Sequence, residues 1–140
     1  MINTVIMKDE FDTKKFGLEL STKLKQGDII ALIGNLGTGK TTLTKAIAEG
    51  LEINEMITSP TFTIVQEYYD GRMPLYHFDV YRINHVEEMY ELGYEEYFFG
   101  NGVCVIEWAD RIMDMIPKGS TIIKMEYGEN ENERIYHISG

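Results

Sequence analysis

A chain of 140 residues with 44% apolar and 26% charged residues is large enough for one buried core, and residues 1–140 are expected to form a single domain. No stretch approaches the roughly 18 uninterrupted apolar residues of a membrane helix, and Met1–Lys8 lacks the basic-then-apolar plan of a signal peptide. A net charge of −10 argues against strong unaided binding to DNA or RNA, which depends largely on basic patches, and the one cysteine, Cys104, excludes an internal disulfide and agrees with a cytoplasmic setting.

Residues 4–8 read as a short first strand. Asp12 or Thr13 can cap a helix whose inward face is Phe16, Leu20 and Leu24, stopped by Gly27. Asp28 to Ile33 is a continuous apolar run, as expected of a strand buried on both faces. Gly34-Asn35-Leu36-Gly37-Thr38-Gly39-Lys40-Thr41 then fits the phosphate loop G-x-x-x-x-G-K-[ST] at every fixed position. Glycines let the backbone wrap an anion, Lys40 brings a point charge to terminal phosphates, and the Thr41 hydroxyl can ligate Mg²⁺. Leu43, Ala46, Ile47 and Leu51 follow at helical spacing, so a phosphate would sit on the helix N-terminus, where Thr42 is also within reach. Strand, loop and helix together mark a site for a nucleoside triphosphate.

Thr58-Ser59-Pro60-Thr61-Phe62-Thr63 has hydroxyls that can sense a terminal phosphate, although Ser-Pro is also ordinary turn chemistry. Phe62–Tyr69 and Leu75–Tyr81, punctuated by Asp70-Gly71, read as an antiparallel hairpin whose second arm carries Asp79. Asn84 with Glu87 resembles a capping pair for a short helix through Leu92. The Met and Tyr residues from Met89 to Phe99 read as core and helix packing. Val103–Ile106 is a short strand ending in Glu107-Trp108, and Arg111–Ile116 a brief helix closed by Pro117. Two last strands, Thr121–Tyr127 and Arg134–Ile138, flank the polar run Gly128–Glu133. The expected fold is α/β of the P-loop NTPase kind: a mixed sheet with a parallel core and antiparallel additions, flanked by helices.

Two acids stand at strand ends, Asp79 and Glu107. In an open α/β sheet the ligand lies beyond the carboxyl ends of the parallel strands. If both strands run parallel to Ile29–Ile33, both carboxylates arrive beside Lys40 and Thr41, where phosphoryl transfer needs an acid for Mg²⁺ and a group to orient water. Each acid taken alone can instead be a surface strand cap. His77 reads as a satisfied structural histidine, and His85 and His137 have no metal-site neighbours. Trp108 divides evenly between partner anchor and packing, and Arg82 and Arg111 between phosphate contact and pairing with a carboxylate, the latter favoured. Cys104, inside Val103–Ile106, is expected to be a small buried hydrophobe. The guanine-reading Asn-Lys-x-Asp is absent, as is an Asp-x-x-Gly after the second strand, so ATP is the better nucleotide. A small-molecule kinase and a nucleotide-dependent binding switch are the rival activities. An arginine-rich lid and an acceptor pocket, usual in the former, are not visible in this length.

The set Gly34–Thr41, Ser59-Pro60-Thr61-Phe62, His77-Phe78-Asp79-Val80-Tyr81-Arg82 and Glu107-Trp108 resembles TsaE, the bacterial ATPase family of tRNA threonylcarbamoyladenosine biosynthesis, over nearly the whole chain. The resemblance implies a slow Mg²⁺-dependent ATPase that binds the TsaD–TsaB complex and meets tRNA only through those partners. It implies Lys40 as phosphate binder, Thr41, Asp79 and Glu107 around Mg²⁺, Thr61 in a switch, and Arg134 near the nucleotide. Glu107 is then the residue expected to position or activate water.

Overall fold

The computed structural model describes residues 2–60 and 63–140. Its strands are β1 (Ile2–Met7), β2 (Ile29–Gly34), β3 (Val65–Tyr68), β4 (Leu75–Asp79), β5 (Val103–Glu107), β6 (Thr121–Tyr127) and β7 (Arg134–Ser139). The helices are α1 (Glu10–Ser21), α2 (Lys40–Gly50), α3 (Glu87–Leu92) and α4 (Tyr94–Phe98), with a 3-10 segment at Ala109–Met115. The strands form one mixed sheet in the order β1-β7-β6-β2-β5-β4-β3. β2 lies parallel to both β5 and β6, and β4 lies parallel to β5. The pairs β1–β7, β6–β7 and β3–β4 are antiparallel, so hairpin strands extend the parallel core on both sides. The α/β architecture is the one expected from the sequence.

The apolar run of β2 is continuous because helices cover both faces of the sheet: Ile29, Ile30, Ala31 and Leu32 are all buried. Alternation sends Ile30, Leu32, Leu75, Val103, Val105 and Ile123 toward Leu43 and Ile47 of α2 and Leu51 just after it. Ile29, Ala31, Phe78, Cys104 and Ile106 face the other way, onto Met89, Phe98 and Ile112. Each buried Val, Leu, Ile, Met or Phe among them contributes about 1.5–3 kcal/mol by leaving water, so the register of the central strands is strongly specified. The same alternation puts His77 and Asp79 of β4, and Glu107 of β5, on the face that looks toward α2. Among the described residues no helix is long and apolar enough to cross a membrane.

Several boundaries differ from expectation for local reasons. The cap of α1 is Asp9, not Asp12 or Thr13: its side chain accepts the Asp12 N–H at 3.0 Å, while Asp12 reaches back to the Lys8 N–H at 3.0 Å. This reciprocal pair satisfies donors that the first helical turn leaves open. The helix ends at Ser21, so Leu24 is buried from the following turn rather than from the helix. The Asn84 N–H bonds Glu88, not Glu87, at 2.8 Å, and the His85 N–H bonds the same carboxylate at 3.2 Å. Phe62, expected at the start of the hairpin, lies outside the described residues; β3 begins at Val65 and β4 stops at Asp79. Gly93, in the left-handed conformation at φ 76°, ends α3 and starts a separate α4 that the sequence pattern does not distinguish. Within Met89–Phe99, Met89 and Phe98 are core, while Tyr90 is exposed but packs edge-on against Tyr94 at 5.6 Å, and Phe99 is exposed. The brief helix after Trp108 is a 3-10 helix that begins at Ala109 rather than Arg111, ends at Met115, and is kinked at Ile112.

Candidate active site

Between the end of β2 at Gly34 and the start of α2 at Lys40, the chain must turn tightly. Gly37 and Gly39 do so with φ of 82° and 96°, conformations that strain residues bearing a Cβ. Gly34 is held for a different reason: a Cβ there would lie 2.6 Å from Thr38 Oγ1 and 2.8 Å from the Met125 carbonyl oxygen. The loop is thereby a backbone cradle at a helix N-terminus, the arrangement that favours an anion.

Leu36, Gly37, Thr38, Gly39, Lys40, Thr41 and Thr42 line a cleft of about 360 Å³, with Asp79 and Glu107 at one side and Arg134 at another. Gly34 and Asn35 lie behind the lining and act through their carbonyls. Lys40 Nζ, buried, donates to Gly34 O at 2.7 Å and Asn35 O at 2.9 Å, and lies 4.0 Å from the centre of the Trp108 ring. Burial pulls the Lys40 ammonium below its usual pKa, while the charges of Glu107, Asp79 and Asp110 pull it back up. Thr41 Oγ1 lies 3.0 Å from Glu107 Oε1 and 3.0 Å from Ser59 Oγ. Asp79 and Glu107 are Cα partners in the parallel β4–β5 register, so their side chains emerge together. Burial pushes the Asp79 carboxyl up; the Tyr81 N–H, bonded at 3.0 Å, opposes this and the Glu107 charge adds to it.

This donor set fits a nucleotide with its divalent cation. Among the described residues no three His, Cys, Asp or Glu side chains gather into a metal cage. A cation held by Thr41, Asp79 and Glu107 would therefore need phosphate and water oxygens to complete its shell, the usual way proteins bind Mg²⁺.

The remaining sequence candidates are distributed unevenly. Thr61 lies outside the described residues. Arg134 borders the cleft, but its guanidinium braces the loop, donating to Gly37 O at 3.1 Å and to the Glu131 and Glu133 carbonyls. Tyr127 adds a second brace from the same hairpin, its hydroxyl bonding Leu36 O. Arg111 stacks 5.0 Å from the Tyr81 ring and Trp108 packs 4.6 Å from it, so both have structural contacts here. Arg82 lines the neighbouring groove with Ser59, Asp79 and Trp108. His137 pairs with Glu126 at 3.1 Å on the surface.

His77 departs from the reading of a satisfied structural histidine. Its ring is buried, Nε2 is 2.5 Å from Glu107 Oε2, and Nδ1 has no hydrogen-bond partner among the described residues. Asp9, Glu10, Thr13 and Asn132 also line the cleft, from α1 and the β6–β7 connection. No local motif marks these four; only the folding of distant segments onto the loop brings them there.

A family model described as threonylcarbamoyl adenosine biosynthesis protein TsaE matches residues 7–136. The chain belongs to the TsaE family. It is 46% identical over 130 residues to the tRNA threonylcarbamoyladenosine biosynthesis protein TsaE of Bacillus subtilis, covering 92% of this chain and 81% of that one. The TsaE of Treponema pallidum is 40% identical over 124 residues, covering 89% and 91%. The crystal structure of Bacillus subtilis YdiB superposes with a TM-score of 0.79 at 37% identity, over 99% of this chain and 84% of that one.

Proposed function

We propose that this chain is a Mg²⁺-dependent ATPase that acts with a TsaD–TsaB-type complex in threonylcarbamoyladenosine modification of tRNA. The observation that supports hydrolysis is the β4–β5 register, which ends Asp79 and Glu107 together above Lys40 and Thr41. Membership of the TsaE family supports the tRNA pathway.

The triphosphate lies along the loop N–H groups, with Lys40 and the N-terminus of α2 balancing its charge. Lys40 exchanges the carbonyls of Gly34 and Asn35 for phosphate oxygens, which make stronger, charge-assisted hydrogen bonds. Thr41, Asp79 and Glu107 would hold the cation, directly or through its waters. When bound, Mg²⁺ supplies charge neutralisation at the terminal phosphates. Glu107 orients water in line with the terminal phosphate, and its 3.0 Å contact with Thr41 already sets it at the head of the loop. The net charge of −10 suits an accessory subunit whose partners hold the tRNA, working in the cytoplasm.

The test is reconstitution with TsaD, TsaB, tRNA and the threonylcarbamoyl donor. Repeated rounds of modification should require this chain and ATP. Glu107→Gln should retain ATP binding and lose hydrolysis by about 10²–10⁴-fold, and with it the repeated rounds. Lys40→Ala should lose ATP binding itself. Many rounds without the chain, or at full rate with Glu107→Gln, would overturn the proposal.

A further inference from the structure

On the face of the sheet that looks toward α2, His77 has Leu75 behind it on its own strand and Val105 beside it on β5, with Gln66 opposite on β3 and Asp79 next along β4. A histidine in such a place must give up water at both ring nitrogens, and only one of them is repaid. Nε2 lies 2.5 Å from Glu107 Oε2; Nδ1 is buried with no partner among the described residues. A proton on Nδ1 would leave a buried N–H without an acceptor, whereas a bare Nδ1 leaves only a lone pair. The favoured tautomer therefore carries its proton on Nε2 and donates it to Glu107. The Thr41 hydroxyl lies 3.0 Å from the other carboxylate oxygen, Oε1, and 3.3 Å from Oε2. Glu107 is thus held at Oε2 by a fully buried side chain that does not line the cleft, while Oε1 makes the shorter contact with the loop.

We propose that His77 is the positioning residue of the hydrolytic site: its Nε2–H fixes Glu107 Oε2, and so aims Oε1 at the space beyond Lys40 and Thr41. This role rests on the reading of Glu107 as the residue that orients water. His77 touches neither nucleotide nor cation and acts through Glu107 alone. Its loss should lower turnover and leave nucleotide affinity in place.

The experiment compares His77→Leu and His77→Gln with the wild-type chain, each together with TsaD and TsaB, measuring kcat and KM for ATP, the ATP Kd and Tm. Leu fills the site without a donor, whereas Gln carries an amide N–H that can reach the same carboxylate oxygen. His77→Leu should lower kcat about 10–100-fold, the usual cost of losing a group that orients a ligating or reacting side chain, with KM and Kd within about twofold. His77→Gln should recover most of that loss. Unchanged kcat in His77→Leu, no recovery in His77→Gln, or a fall in affinity as large as the fall in kcat would each overturn the role. Should the variants not fold, nitrogen NMR of labelled histidine in the wild-type chain decides: a proton on Nε2 is expected, and one on Nδ1 overturns the proposal. Glu107→Gln separates the two readings. If it keeps full turnover, the assignment of Glu107 fails and the role of His77 falls with it; if it is inactive while His77→Leu is unaffected, only the role of His77 fails.

Discussion

Gly17 offers the sharpest test of how the phosphate-loop helix is seated. It lies on the buried face of α1 in a stripe of small residues, Thr13, Gly17 and Ser21, spaced by four and pressed against α2. A Cβ at Gly17 would run into the Ala46 Cβ and stand 3.2 Å from Ile47 N and 3.3 Å from Ala46 C. Two effects oppose each other in Gly17→Ala. Replacing glycine inside a helix gains about 1 kcal/mol from propensity and a less flexible unfolded chain. Overpacking costs about 1–3 kcal/mol, toward the upper end where the obstacle includes backbone rather than a flexible side-chain tip. The expected net loss is about 1–2 kcal/mol, or a Tm lowered by roughly 3–8 °C for a chain of this length. Because α2 begins with Lys40 and Thr41, displacement of that helix should also weaken ATP binding. Thermal melting by circular dichroism gives the first quantity and nucleotide titration the second. Adding Ala46→Gly to the variant removes the obstructing Cβ and should return part of the lost affinity. A Tm that is unchanged or raised in Gly17→Ala would show that α1 and α2 have room between them, and the packing account would be wrong.

Asp79→Asn should stabilise the nucleotide-free chain at neutral pH while impairing Mg²⁺-dependent activity. Burial raises the folded pKa of Asp79 above the ordinary 3.8, so its favourable contribution is complete below that value and is lost as pH rises through the raised one. The ionised carboxylate is then a cost that asparagine avoids, and the gain in Tm should grow from acid to neutral pH; a gain independent of pH would contradict this. Cys104 should be inert toward thiol reagents in the native protein, because burial pushes its thiol up to about 12 and its Sγ donates to the Tyr97 carbonyl at 3.2 Å. At a working pH near 8, about one thiol in ten thousand would be ionised. Labelling should become fast and stoichiometric only in denaturant, and rapid labelling of the folded chain would refute its burial.

Chemistry carried by contiguous residues was legible in the chain itself. The apolar run before Gly34, the glycines at 37 and 39, and the helical spacing after Lys40 each express a local requirement, either backbone freedom or periodic burial. Asp79 and Glu107 could be singled out because an acid ending an apolar strand is conspicuous. That they would share one cleft was conditional on strand direction, which depends on which edges pair and not on either segment alone. Sheet order supplied the missing condition: β5 lies between β2 and β4 with all three parallel. His77 shows the limit most clearly. By its own neighbours it is one more inward residue on a strand; its bond to Glu107 exists because a second strand, about thirty positions later, lies alongside in one particular register. The cleft walls from Asp9, Glu10, Thr13 and Asn132, and the loop braces from Tyr127 and Arg134, arise in the same way, through segments remote in sequence that are packed against the loop. Local residue types set what each segment can do, because φ, burial and charge act over a few residues. Which of those capacities meet in one place is set by long-range packing, because only there do distant side chains come within a hydrogen bond of one another.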